Sequence, residues 1–167
     1  MLRRRAASTE DAEVDGEQGF GGAGSVGDGY DARTGVYEQW VGFATHEPLR
    51  IAEVGPRRTV TADRLLGRER VRHAQIVKQA DVLMLHHLVP DEVAPESLVP
   101  NLHYYEPRTA HGSSLSPGIH AALFARAGDD ERERAALDVA ARIDSAALTP
   151  TTASGAHHAP LGSVWQR

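Results

Sequence analysis

The chain has 167 residues, with 18 Lys+Arg against 23 Asp+Glu, and 41% of its side chains are hydrophobic but only 5% aromatic. A formal net charge of −5 with no long basic run excludes a surface built to neutralise a phosphate backbone, and no stretch reaches the roughly 18 apolar residues of a membrane span, so neither nucleic acid nor a membrane is expected as a partner. There is no cysteine, hence no disulfide, thiolate nucleophile or zinc–cysteine site; with an N-terminus lacking the apolar core of a secretory signal, this fits a reducing, cytoplasmic setting.

Residues 1–29 are polar and glycine-rich, six of the eleven residues in GFGGAGSVGDG being Gly, and are expected to be disordered because they cannot bury enough apolar surface to offset their ordering entropy. The formal dinucleotide fingerprint Gly22–Gly27 lies between no strand and no helix and carries no cofactor. From Tyr30 to Arg167 the pattern is that of helices joined by polar loops, with no convincing strand alternation. Tyr37, Trp40, Val41, Phe43, Leu49 and Ile51 suggest short irregular or helical pieces, and RRTVTADRLLGRER a loop. Apolar residues at three- and four-residue steps predict a buried helix from about Glu69 to Leu88, stopped by Pro90. Pro95 begins a short helix reaching Tyr104 or Tyr105. The next helices are expected at Ser116–Ala127, with Pro117 in its first turn and Gly128 closing it, and at Asp130–Ile143, with a last one from about Ala153.

The basic residues are 17 Arg and one lysine, Lys78, and the chain has a single asparagine, Asn101. Where arginine is used so freely, a retained lysine suggests a compact point charge in a tight site, although chance survival explains it equally well. Lys78-Gln79-Ala80-Asp81-Val82 would place an ammonium, an amide and a carboxylate in an apolar helix, either as a solvated stripe or as a ligand-lining face. His111-Gly112-Ser113-Ser114-Leu115-Ser116-Pro117 runs into a helix start, where hydroxyls and free amides cradle an anion or simply cap the helix. The pairs His86-His87 and His157-His158 lack the i, i+4 spacing of a zinc-binding helix, so no metal is expected.

VKQADVLML, NLHYYEPRTAHGSSLSP and GAHHAPLGSVWQ, in this order, resemble consecutive motifs of glycoside hydrolase family 65, mostly phosphorylases of α-glucosides such as maltose, trehalose, kojibiose and nigerose; the resemblance covers residues 30–167. It implies an all-α, partial (α/α)6 barrel of about four or five helices, truncated at both ends. It also implies an α-glucosyl disaccharide and inorganic phosphate as partners, with no cofactor beyond that co-substrate. By position, Lys78 and Gln79 match the pair that holds the glucosyl unit, and Ser113, Ser114 and His157 match the phosphate ligands. Gly112 and Ser163 depart from the usual Asp and Gly of these motifs without removing a ligand group.

The resemblance implies inverting phosphorolysis to β-glucose 1-phosphate. Its general-acid glutamate belongs in a motif resembling GPDEY, upstream of KQADV, and nothing of that kind precedes Lys78. A twelve-helix barrel needs on the order of 200 residues. The expectation is therefore a fragment, inactive alone and prone to self-association through uncovered helix faces. The rival readings are a hydrolase of the same family and a non-catalytic remnant that binds sugar or phosphate.

Overall fold

The computed structural model of the chain describes residues 29–55, 61–111 and 115–142. The expected disorder of residues 1–29 (Gly29 apart) and the expected helix from Ala153 lie outside the described residues. Within them the chain is predominantly α-helical, with one minimal hairpin.

The hairpin pairs β1 (Tyr30–Asp31) with β2 (Val36–Tyr37), Tyr30 facing Tyr37. Its turn closes because the Asp31 carboxylate accepts from Arg33 N–H at 2.9 Å and the Asp31 carbonyl from Gly35 N–H at 2.7 Å. Gly35 is required twice over: its φ is +71°, and a Cβ there would stand 3.0 Å from Pro100 Cγ. Two-residue strands leave no room for alternation, which is why the sequence pattern gives no sign of them.

Asn101 holds the hairpin to the helices. Fully buried, it accepts from Tyr37 N–H at 3.0 Å and donates to Gly35 O at 2.9 Å and Ser97 O at 2.7 Å. Tyr105 adds a hydroxyl bond to Tyr37 O at 2.6 Å, and its burial raises the phenol pKa well above the ordinary tyrosine value.

After a 3-10 turn at Phe43–Thr45 come three helices of about one turn, α1 (Ile51–Val54), α2 (Ala62–Leu66) and α3 (Arg68–Val71). Two of them correct the loop expected over RRTVTADRLLGRER. Helices this short are stabilised by packing rather than propensity: Ala62, Leu65, Leu66 and Val71 join Ile51, Ala74, Ile76 and Ala110 in a small core, and periodicity over one turn is unreadable.

The long helix expected over Glu69–Leu88 is also corrected. Helix α3 ends at Val71, residues 72–80 are extended or bent, and α4 occupies only Asp81–Leu88. Two isolated parallel bridges, Glu47 with Ala74 and Val77 with Thr109, flank the extended stretch. Ile76 belongs to the small core and Val77 to the large one, so neighbouring residues point to opposite sides, as in a strand. A segment buried on both sides reads as a continuous apolar run, and its β-branched Ile76-Val77 pair suits extended backbone.

Helix α4 stops before Pro90, and α5 (Leu98–Tyr105) follows a 3-10 turn begun by Pro95, as expected. Helix α6 (Ser116–Ala127) has Pro117 in its first turn and ends on Gly128 at φ +73°, whose N–H bonds Ala125 O at 3.1 Å. Asp129 then caps α7 (Asp130–Arg142), its carboxylate accepting from Arg132 N–H at 3.1 Å, and α6 and α7 pack as a helical hairpin. The four longer helices, α4 to α7, match the expected number of about four or five for a partial all-α barrel. The large core joins Phe43, Leu83, Leu102, Tyr105, Leu123 and Phe124 from the 40s segment, α4, α5 and α6.

His86 is a polar member of this interior, only 1% exposed. Its Nδ1 lies 2.7 Å from Val82 O, which can only accept, and its Nε2 2.8 Å from Ser97 Oγ. Burial pushes the imidazole pKa below its ordinary value; the Val82 bond opposes this and the nearby Arg126 guanidinium adds to it. A depressed folded pKa means the unfolded state binds protons first, so this stabilisation is complete above about pH 6.5 and is lost as pH falls through the folded pKa. Thermal melts are expected to show the midpoint falling on acidification below about pH 6.5, by up to about 1.4 kcal/mol per pH unit from this group, with a shallower fall in His86→Gln.

Candidate functional site

The candidate site starts from the two bridges. Val77 N–H donates to Arg108 O at 3.0 Å, and Ala110 N–H donates to Val77 O at 2.8 Å. Because the bridge is parallel, both segments leave it in the same direction, Lys78-Gln79 following Val77 on one and Ala110-His111 following Thr109 on the other. The second of these segments leads straight into residues 112–114. Lys78 and Gln79 thus stand at a bend before α4 and not inside a helix as expected. Ser113, Ser114 and His157 lie outside the described residues.

Lys78 is exposed and Gln79 half-buried. Among the described residues no carboxylate lies within ion-pair distance of the Lys78 ammonium, which leaves it available to a ligand. Both line an open cleft of about 730 Å³ with Gln39, Trp40, Arg72 and Asp81. Gln39 Oε1 accepts from Val82 N–H at 3.4 Å and so meets one of the free amides of the first turn of α4. The Trp40 ring stands edge-on to Phe43 at 4.7 Å, and its Nε1–H donates to His46 Nε2 at 3.3 Å. An aromatic ring, two amides and charges of both signs around one cleft form a surface suited to a polyhydroxylated ligand.

On the other strand, His111 has φ +43°, a left-handed conformation that histidine tolerates better than most residues but that still costs on the order of 1 kcal/mol. Its Nδ1 lies 3.1 Å from Ser116 Oγ at the start of α6, and its ring meets His120 edge-on at 4.7 Å. The two imidazoles border a cleft of about 320 Å³ with Glu106, Phe124 and Arg132. Among the described residues no group of three His, Cys, Asp or Glu could hold a metal ion.

The residues that support this arrangement were not singled out in the sequence. Gln75 is buried; Arg108 lies over the Tyr104 ring at 4.0 Å and donates to Tyr104 O at 2.7 Å. A polar residue inside the apolar run AQIV, and an aromatic and an arginine four residues apart in HYYEPR, were the available signals.

The sequence matches the model of the glycosyl hydrolase family 65 central catalytic domain over residues 27–166. It is 34% identical over 134 residues to the kojibiose phosphorylase of Escherichia coli strain K12, which covers 78% of this chain and 18% of that protein. It is 38% identical over 98 residues to the kojibiose phosphorylase of Halothermothrix orenii, 59% of this chain and 13% of that one. A solved chain from human microbiome, provisionally named a kojibiose phosphorylase, superposes with a TM-score of 0.70 at 31% identity, over 82% of this chain and 19% of its own. The chain thus spans less than a fifth of the length of these relatives. The three ordered motifs, the helical architecture and the match over residues 27–166 make this chain a member of glycosyl hydrolase family 65.

Proposed function

We propose that these residues supply one wall of the sugar and phosphate site of an inverting α-glucoside phosphorylase. Lys78 and Gln79 hydrogen-bond the glucosyl unit, and Ser113, Ser114 and His157 hold inorganic phosphate, the only co-substrate required. A phosphate oxygen attacks the anomeric carbon from the face opposite the glycosidic bond; that bond breaks, and the leaving oxygen takes a proton from a glutamic acid, releasing β-glucose 1-phosphate and the second sugar. The observation that supports the reading is the parallel Val77–Thr109 bridge, from which Lys78-Gln79 and the Ala110-His111 pair that precedes Gly112 in the sequence leave in the same direction. The kojibiose phosphorylases among the relatives support a disaccharide of this class.

Hydrolysis by the same scaffold would need a carboxylate base aimed at water in place of the Ser113 and Ser114 hydroxyls. The polar side chains of HGSSLS favour phosphate instead. Exposed Leu88 and Val99, on α4 and α5, support self-association as part of the same reading.

The 167 residues carry no motif resembling GPDEY ahead of Lys78, so assayed alone they lack the proton donor, a group worth about 10²- to 10⁴-fold in rate. The expected result with kojibiose, nigerose or trehalose plus phosphate is no glucose 1-phosphate above background, alongside measurable phosphate binding by calorimetry. Turnover by the isolated chain would overturn the assignment of the acid, and absence of phosphate binding would overturn the site.

A further inference from the structure

We infer that Gln75 is the positioning residue of this site: its side-chain amide sets the conformation in which Lys78 and Gln79 leave the Val77–Thr109 bridge in the same direction as Ala110 and His111. The inference rests on the reading of Lys78 and Gln79 given above. Gln75 is 5% exposed and makes every hydrogen bond an amide can make. Nε2 donates to Ala44 O at 3.0 Å and His46 O at 3.1 Å; Oε1 accepts from Tyr104 Oη at 2.9 Å and Arg108 Nε at 3.3 Å. Its backbone joins the same arrangement, Gln75 N–H donating to Glu47 O at 2.8 Å.

Three segments therefore meet at one side chain. The 44–47 stretch carries the Glu47 bridge on one side of the extended stretch, and Arg108, whose carbonyl receives Val77 N–H, forms the other side. Tyr104 and Arg108 are locked to each other and to Gln75. The amide spans both flanks of residues 74–77, three and four positions before the two ligand residues. A buried polar group with this many partners tolerates one arrangement, since any shift leaves a donor or acceptor unmet where water does not reach. Chain direction at Lys78 follows from it, because Ile76 and Val77 are pinned in separate cores and cannot turn independently.

The test compares Gln75→Met and Tyr104→Phe with Ser97→Ala, which removes a buried hydroxyl that shares no hydrogen bond with residues 44–47, 75–79 or 104–111. Tyr104→Phe keeps the ring under Arg108 and loses only the bond to Gln75, so it serves if Gln75→Met fails to fold. Two readouts are used on the 167-residue chain: amide exchange at Val77 and Ala110, and the apparent Kd for glucose and for inorganic phosphate. For Gln75→Met we expect exchange at both amides to accelerate at least about tenfold and glucose affinity to drop about tenfold; for Tyr104→Phe about threefold in each, and for Ser97→Ala no change in either at a similar loss of melting temperature. Exchange at Val77 and Ala110 unaltered in a folded Gln75→Met or in Tyr104→Phe overturns the positioning role whether or not the chain binds ligand. Accelerated exchange with no glucose binding by the parent chain keeps the role of Gln75 in the backbone arrangement and overturns the ligand reading instead. Equal losses in Ser97→Ala would reduce the effect to general stability and overturn the inference.

Discussion

Asn101→Leu is expected to destabilise the chain by about 3–5 kcal/mol, enough to unfold it or to leave the hairpin detached. The substitution conserves approximate volume but strands three backbone groups at once: Tyr37 N–H, Gly35 O and Ser97 O. Each unmet buried group costs about 1–3 kcal/mol, and the apolar burial of one leucine offsets this only where the pocket is apolar, whereas this one is lined by peptide groups. The damage spreads because Tyr37 is itself a hub: its carbonyl accepts from Tyr105 and its hydroxyl accepts from Ala94 N–H at 3.0 Å. Denaturant melts of the two chains side by side check the figure. A loss below about 1 kcal/mol would mean that the hairpin is held mainly by Tyr30 and Tyr37 packing, and that water reaches the asparagine.

The sequence reveals the helices well where they are long or punctuated. Pro117 and Gly128 bracket α6, Pro90 bounds α4 and Pro95 opens the turn into α5, because these residues act through backbone geometry that no tertiary contact alters. Residues 72–80 are misread for the opposite reason. Val71, Ala74, Val77 and Ala80 fall at helical intervals, yet the first two pack into the small core and the last two into the large one, and the conformation is decided by bridges to residues 47 and 109, far away in the chain. Periodicity reports which positions are buried; it does not say by what.

The site divides in the same way. Lys78 was singled out as the one lysine among 17 arginines, a property of composition that survives any error in secondary structure. Asn101, equally solitary, has no ligand-facing role: its amide is consumed by three backbone partners. Being unique in the composition points to a residue worth testing, without distinguishing a fold requirement, a ligand requirement or chance. Exposure does distinguish them, since Asn101 is fully buried and Lys78 is exposed without an ion pair among the described residues. Gln75 escaped notice because its importance lies in partners 29 to 33 positions away, and no local pattern encodes those.

Lys78→Met is accordingly expected to do the reverse of Asn101→Leu: to weaken ligand binding about 10- to 150-fold while leaving the melt unchanged within about 0.5 kcal/mol. The range follows from the 1.5–3 kcal/mol typical of a hydrogen bond to a charged group, about a factor of ten per 1.4 kcal/mol. Stability is spared because the exposed ammonium, which has no ion-pair partner among the described residues, gives up no such contact when it is removed. Lys78→Arg separates charge from shape. If the ligand needs only a positive charge, arginine restores binding; if it needs a compact donor on a flexible stem, the broader guanidinium restores less than about a tenth of the affinity, in a chain whose composition otherwise prefers arginine. Chemical-shift titration of the Lys78, Gln79 and His111 amides with glucose, and then with phosphate, reads both substitutions. Under the proposed assignment of Lys78 to the glucosyl unit, lysine specificity is expected in the glucose arm and a weaker dependence in the phosphate arm. Equal binding by all three chains would remove Lys78 from the site and leave its solitary presence to chance.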